Sequence, residues 1–337
     1  MKAIVYHKYG SPDVLRCEEI EKPTAADNEV LIRVRAASVN PLDWHLMRGE
    51  PYIVRAMSGL RKPKTARPGI DVAGQIEAVG RNVTQFQPGE DVFGGSSGAF
   101  SEYVCADENK LVLKPASLTF QQAATLPVAA ISALQGLRDK GRIQPGQKVL
   151  INGAAGGVGT FAVQIAKSFG AHVTGVCSMR NVDLVRSIGA DRVVDYTQED
   201  FTQSGQRYDL ILDCVGNRSL SDYRRAMSPR GNYVMVGGPA GRWIGPLDRA
   251  LKALLLSAFV SQNLFMFVAS INKEDLAVLK ELIEAKKLTP VIDRRYTLSE
   301  VPEAIRYSEQ GHARGKVVIT LEDEVNDNEH HHRRVTT

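Results

Sequence analysis

Val149-Leu-Ile-Asn-Gly-Ala-Ala-Gly-Gly-Val-Gly159 is the stretch on which the reading of the whole chain turns. Three apolar residues suited to a buried strand run into a glycine-rich turn. Val158, Phe161, Ala162, Ile165, Ala166 and Phe169 then recur at three- and four-residue spacing, the apolar stripe of a helix. Gly170 follows where a helix C-terminus favours glycine. A strand, glycine turn and helix in this order make an anion site, because the first helical N–H groups lack partners and the helix end carries partial positive charge. Ala154, Ala155, Gly156, Gly157, Val158 and Gly159 are therefore expected to cradle the pyrophosphate of a dinucleotide. Gly156 lets the backbone approach the phosphates and Gly159 lets the helix lie close to the strand. Ala154 stands where the strict fingerprint has its first glycine.

Downstream, His172-Val-Thr-Gly-Val, Val193-Val, Leu210-Ile-Leu and Tyr233-Val-Met-Val continue as strand candidates, most of them joined by helical patterns. That alternation predicts an α/β unit with a doubly wound parallel sheet, a Rossmann dinucleotide-binding domain. An NAD site would place Asp or Glu at the end of its second strand, about 20 residues past the turn. Here the chain reads Gly175-Val-Cys-Ser-Met-Arg180. Ser178 offers a hydrogen bond and Arg180 a guanidinium for a 2′-phosphate, so the expected cofactor is NADPH.

Upstream, to about Lys114, short strands such as Val30-Leu-Ile-Arg-Val-Arg and Val72-Ala-Gly-Gln-Ile-Glu-Ala-Val alternate with turns, which predicts an antiparallel β domain. Pro88-Gly89 and Pro145-Gly146 mark turns just ahead of strands. The expected organisation is a β domain over residues 1–124 and a nucleotide domain over 125–270. Residues 271–321 return to the first domain, and 322–337 form a polar tail expected to be disordered.

The chain has 337 residues, 43% hydrophobic and 24% charged, which excludes a largely disordered protein. A net charge of +4 without a dense basic block argues against nucleic acid. Cys17, Cys105, Cys177 and Cys214 are scattered and form no Cys-x-x-Cys pair, so neither a disulfide framework nor a cysteine zinc site is expected, and a cytoplasmic setting is the default. The uncharged stretch Ala253 to Ser270 is broken by Ser261-Gln-Asn263. It is read as a helix followed by a strand, with peripheral membrane contact as an alternative to plain core. His330 to His332 in the tail are read as solvated residues or a tag remnant, not a metal site.

In this order, Val39-Asn-Pro-Leu-Asp43, Pro68-Gly-Ile-Asp-Val-Ala-Gly74, Leu126-Pro-Val-Ala129, Ala154-Ala-Gly-Gly-Val-Gly159 and Gly189-Ala-Asp191 resemble landmarks of the medium-chain dehydrogenase/reductase superfamily, in particular its zinc-independent quinone oxidoreductase and enone reductase branch. The resemblance runs over nearly the whole length and implies a GroES-like β domain beside the Rossmann domain, with the active site between them. It implies that Tyr196 joins Ser178 and Arg180 around the 2′-phosphate, and that Cys214, Val215, Gly237 and Gly238 lie near the cofactor at strand ends. Phe265, Phe267 and Lys316 are also expected near the cofactor, with Phe265 to Phe267 on an edge strand that pairs two copies into a homodimer.

Zinc enzymes of that superfamily carry Cys and a His-Glu pair where this chain has Asn40 and Ile70-Asp71, and an apolar Ile cannot be a ligand, so no catalytic metal is expected. The resulting expectation is hydride transfer from NADPH to a small-molecule quinone or α,β-unsaturated carbonyl. Asn40 and Asp43 would act at the acceptor, with Tyr52 or water as proton donor. Asn40 and Asp43 are equally at home as turn residues of an Asn-Pro loop. Two rival readings share the fold: a carbonyl or alcohol dehydrogenase, and an NADPH-binding sensor or peripheral membrane protein with little turnover.

Overall fold

The computed structural model describes residues 1–52, 54–236 and 261–321. Gly237, Gly238, the first part of the stretch from Ala253, and the tail with His330 to His332 lie outside the described residues. Strands β1 (Lys2–Val5) and β2 (Arg16–Glu19) form an antiparallel pair. A second sheet is built from β3 (Glu29–Val39), β4 (Asp71–Val79), β5 (Asp91–Gly95), β6 (Tyr103–Asp107) and β7 (Leu111–Leu113). Between β3 and β4 lie helices α1 (Pro41–Arg48) and α2 (Val54–Ser58). The Asn-Pro segment is thus the start of a helix. Asn40 is the N-cap residue of α1, its carbonyl accepting the Asp43 N–H at 3.0 Å while the Asp43 carboxylate bonds back to the Asn40 N–H, and Pro41 occupies a first-turn position that needs no N–H donor.

Helices α3 (Phe120–Ala123) and α4 (Pro127–Gln135) lead into the parallel sheet: β8 (Lys148–Asn152), β9 (His172–Cys177), β10 (Arg192–Asp195), β11 (Tyr208–Asp213), β12 (Met227–Met235) and β13 (Asn263–Met266). Their order is β10-β9-β8-β11-β12-β13, all parallel, so the chain reverses its direction of travel between β8 and β11. A crevice opens at the C-terminal ends of strands flanking such a reversal. Val149, Leu150 and Ile151 are fully buried, as a strand covered on both faces requires. Helix α5 (Gly157–Ser168) packs on one face through Phe161 and Ile165, and Gly170, at φ +78°, follows its end. Tyr223 and Tyr233 stack in the core of the other face, ring centroids 4.7 Å apart. β13 is the outermost strand, with Phe265 within it and Phe267 just past its end.

The chain then returns. β14 (Ile292–Thr297) and β15 (Lys316–Thr320) add to the antiparallel sheet, with β15 paired to the C-terminal half of β3, Val317 opposite Val39. This register carries Lys316 to the end of β3, beside Asn40. Ala36, Ala73 and Phe93 of the antiparallel sheet share one apolar core with Leu126 and Leu134 beside and in α4 and with Phe161 of α5. The two sheets are therefore joined by a packed seam, and the site lies at one end of it.

Candidate active site

At the end of β8 the chain turns at Gly153, whose φ of +83° is costly for any residue with a side chain. The N–H groups of Gly153 and Ala154 both donate to Val176 O, at 3.1 and 3.0 Å, and the Gly156 N–H donates to Gly153 O at 3.0 Å. Gly156 caps α5 and brings no side chain to satisfy the first-turn donors, so these face the crevice. A Cβ on Gly159 would lie 2.1 Å from Gly153 O, whereas one on Gly156 would meet nothing nearer than 3.4 Å. Gly159 is thus demanded by the protein itself, and the space above Gly156 is open for a ligand. Ala154 is tolerated because β9 supplies the missing room. A Cβ on Gly175 would stand 3.0 Å from the Ala154 Cβ and 2.5 Å from Val185 Cγ1. Ala155 is buried in the same turn, and Gly157 and Val158 open the helix.

The neighbouring strand ends carry the expected adenosine-side residues. Pairing of Asp195 with Cys177 sets Ser178 and Tyr196 side by side, and the Tyr196 N–H donates to Cys177 O at 3.0 Å. Arg180 and Tyr196 are exposed. The Asp195 carboxylate, at the end of β10, is turned onto Thr197, accepting from its N–H and hydroxyl at 3.0 and 2.9 Å. One cation unforeseen from the sequence joins this corner. Arg314, on the loop before β15, donates through Nη2 to Arg180 O at 3.2 Å, and Arg180 Nη2 donates to His312 O at 3.4 Å. Its position depends on a contact 134 residues distant in the chain.

Beyond the glycine turn, the Val215 and Gly216 N–H groups donate to Asp213 Oδ1, and the Val215 side chain lies against the place a Gly153 side chain would take. Cys214 is tied by its N–H to Asn152 O at 3.0 Å. Asn152 in turn donates to Asp213 Oδ1 and Tyr223 Oη, so a buried polar network rigidifies the strand ends around the crevice. Its members were not singled out by sequence reasoning, since a lone Asn in a strand gives no such signal.

Across the crevice lies a buried cluster. Lys316 and Asp71 are 3% and 0% exposed, and Lys316 Nζ donates to Asp71 Oδ2 at 3.2 Å, Asn40 Oδ1 at 2.6 Å and Val39 O at 3.2 Å. Asp71 also accepts from Ser38 Oγ at 2.6 Å, Asn40 Nδ2 at 2.8 Å and the Val128 N–H, in the first turn of α4, at 2.9 Å. This carboxylate therefore ties the antiparallel sheet to a helix N-terminus of the other domain. The Lys316 stem runs past the first turn of α5, with Cδ 3.2 Å from an ideal Cβ on Gly157. Both ends of the Asn40 amide are engaged here, so in this geometry Asn40 fastens the cluster. Asp43, 1% exposed, accepts the N–H groups of Asn40 at 2.7 Å and Gly69 at 3.2 Å. Burial pushes its carboxyl up to about 7, against the pull of the Asn40 N–H, with the Asp71 charge adding to the rise. A cavity of about 270 Å³ opens beside it, lined by Tyr6, Lys64, Arg67, Gly69 and Ile70 among others. Tyr52 is not among the lining residues; it is 37% exposed, with the Arg55 guanidinium 4.7 Å over its ring.

Comparison with known proteins decides the family. Residues 26–116 match the alcohol dehydrogenase GroES-like domain and residues 188–319 the zinc-binding dehydrogenase family. The chain is 33% identical to the chloroplastic quinone-oxidoreductase QR1 of Triphysaria versicolor, over 95% of this chain and 98% of that protein. It is 34% identical to the chloroplastic NADPH-dependent alkenal/one oxidoreductase of Arabidopsis thaliana, over 95% of this chain and 79% of that protein. The quinone oxidoreductase structure from Coxiella burnetii superposes with a TM-score of 0.84 at 30% identity, covering 96% and 99% of the two chains. The chain belongs to the medium-chain dehydrogenase/reductase superfamily, on its quinone and enone reductase branch. It is an oxidoreductase, built from the GroES-like and Rossmann domains expected, and its cofactor is a nicotinamide dinucleotide.

Part of this superfamily uses zinc, and the donor set here does not fit that metal. Asn40 and Ile70 stand at two ligand places, and the Asp71 carboxylate is already shared by an ammonium, an amide, a hydroxyl and a backbone N–H. Among the described residues no group of three His, Cys, Asp or Glu side chains is placed to hold a metal ion. The nicotinamide dinucleotide does fit. The glycine turn and the first turn of α5 follow the C-terminal end of β8, and Ser178 and Tyr196 follow the adjacent C-terminal ends of β9 and β10 on the same side of the sheet. Among the described residues no helix is long and apolar enough to cross a membrane.

Proposed function

We propose that this reductase uses NADPH to reduce a small quinone or α,β-unsaturated carbonyl without a catalytic metal. The observation that carries the reading is the pair of facing sites: an open glycine-turn track ending in Ser178, Arg180 and Tyr196, and opposite it a buried Lys316–Asp71–Asn40 cluster beside a cavity. Two guanidiniums, Arg180 and Arg314, meet at the corner where a 2′-phosphate distinguishes NADPH from NADH, and no carboxylate ends β9. Bound NADPH supplies the hydride. Quinones and enones accept hydride at an electron-poor carbon, so hydrogen bonding and fixed charge suffice to stabilise the oxyanion that develops.

The protein's own groups do the rest. The first turn of α5 and Arg180 bind the two phosphate positions. Asp71 and Asn40 hold the Lys316 ammonium rigidly at the seam, a fixed positive charge that needs no reorganisation. Asp43, uncharged over much of the range below neutral pH, holds a proton beside the cavity for return to the reduced product through water. The β13 edge is, in this reading, where two copies pair.

The direct test follows reduced-nicotinamide absorbance with NADPH or NADH and a panel of quinones, enones, aldehydes and alcohols. Loss of NADPH with quinones or enones, faster than of NADH, is expected. NADPH that binds but is consumed with no acceptor would turn the reading to a sensor.

A further inference from the structure

The loop from Gly59 to Arg67 carries Arg61, Lys62, Lys64 and Arg67 and no acidic residue. It is held in a defined path: the Lys64 N–H donates to Ser58 O at 2.7 Å, the Tyr6 N–H to Ala66 O at 2.8 Å, and the Tyr9 hydroxyl to Gly59 O at 2.6 Å. Lys64 and Arg67 line the cavity beside Asp43, together with the hydroxyl-bearing Tyr6, Ser58, Thr65 and Ser97. Neither cation forms an ion pair among the described residues. The one carboxyl among the lining residues, Asp43, is enclosed and has both oxygens on backbone N–H groups. Net positive charge and hydroxyl-bearing residues therefore line a space of about 270 Å³, enough for a small polar head group. Tyr6 is 4% exposed, and burial pushes its hydroxyl up to about 12, leaving it a neutral donor.

This charge is separate from the nucleotide track. The dinucleotide phosphates meet α5 and Arg180 in the parallel-sheet domain, whereas Lys64 and Arg67 stand on the antiparallel-sheet domain past Gly69. A neutral quinone or alkenal gives two unpaired cations nothing to bind. Resting on the reductase reading above, we propose that the preferred acceptor carries an oxyanion substituent, a carboxylate or phosphate, which Lys64 and Arg67 draw into this cavity with Tyr6 Oη as a further donor.

Benzylideneacetone, its para-carboxylate and its para-phosphate share one reacting enone and differ in charge, so their kcat/KM values with saturating NADPH report the preference. At low ionic strength each charged compound should exceed the neutral one by about tenfold, with the advantage shrinking as salt screens it; the larger ratio identifies which oxyanion fits. The double variant Lys64→Gln, Arg67→Gln should bring the ratios close to one. Equal kcat/KM for all three, without salt dependence, overturns the proposal, as does a variant that weakens NADPH binding and keeps the ratios. Should the variant not fold, the salt dependence of the unaltered protein still decides. Calorimetric binding of the saturated para-carboxylate needs no turnover. Salt-sensitive binding with no reduction of any enone or quinone would retain the anion site and sink the reductase reading, and absence of binding would sink the site.

Discussion

Replacing Asp43 by Asn tests whether burial keeps this carboxyl protonated up to neutrality. Asp43 is 1% exposed, and desolvation, opposed by the Asn40 and Gly69 N–H groups, lifts it from 3.8 to about 7. In the unfolded chain it regains its ordinary value, so between roughly pH 4 and pH 7 the native state holds up to one more proton than the unfolded state. A group raised in this way contributes stability that is complete below the unfolded pKa and lost as pH rises through the folded pKa. Three units at about 1.4 kcal/mol each give an upper limit of ~4 kcal/mol, reduced by relaxation and water entry to an expected ~2–3 kcal/mol. Asn cannot titrate, and its lost second acceptor adds only a pH-independent offset. Urea unfolding of both proteins from roughly pH 4.5 to pH 8 should therefore show the parent losing ~2–3 kcal/mol relative to Asp43→Asn as pH rises. A difference that stays level would mean that Asp43 is ionised throughout and that its two N–H bonds outweigh burial; a difference of opposite slope would refute the reasoning outright.

Other outcomes follow from the same geometry. Ser178→Ala with Arg180→Ala should weaken NADPH binding about 10- to 100-fold and leave NADH binding nearly as it was, read by fluorescence titration of each nucleotide. An unchanged NADPH preference would move the 2′-phosphate elsewhere, and Arg314→Ala then shows whether the second guanidinium carries it. Gly159→Ala places a Cβ 2.1 Å from Gly153 O, so it should cost ~1–3 kcal/mol and abolish the rise in melting temperature that the dinucleotide confers. Lys316→Met leaves the Asp71 carboxylate buried without its cation and should lower unfolding free energy by ~3–5 kcal/mol; a loss near zero would mean that the hydroxyl, amide and N–H donors alone satisfy it.

Much of the nucleotide half was legible because its signals are local. A glycine turn between a β-branched strand and an apolar-striped helix is read within about 20 residues, and Ser178 and Arg180 lie at a fixed distance along the chain. Even there the sequence showed Ala154 as a departure without showing its remedy, since Gly175, paired with Ile151 in the β8–β9 register, comes beside the Ala154 side chain only in the folded turn. The residue types of the Asn40–Asp43 segment suit either a turn or a site; the start of helix α1 there, and the burial that engages both side chains, come only with the fold. From the sequence the tyrosine offered as donor is Tyr52; it is the pairing of the Tyr6 N–H, just past β1, with Ala66 O of the Gly59–Arg67 loop that puts Tyr6 on the cavity.

By itself the sequence determined the two-domain α/β plan, the anion-binding turn and the residue types around it, because periodicity and turn chemistry act between near neighbours. Tertiary structure alone decided the electrostatics of the site. Lys316 meets Asn40 and Asp71 across 276 and 245 residues, and a buried ammonium is tolerable only where folding delivers a carboxylate, an amide and a carbonyl to the same few ångströms. No linear pattern encodes that meeting, since it depends on β15 returning in register to the end of β3.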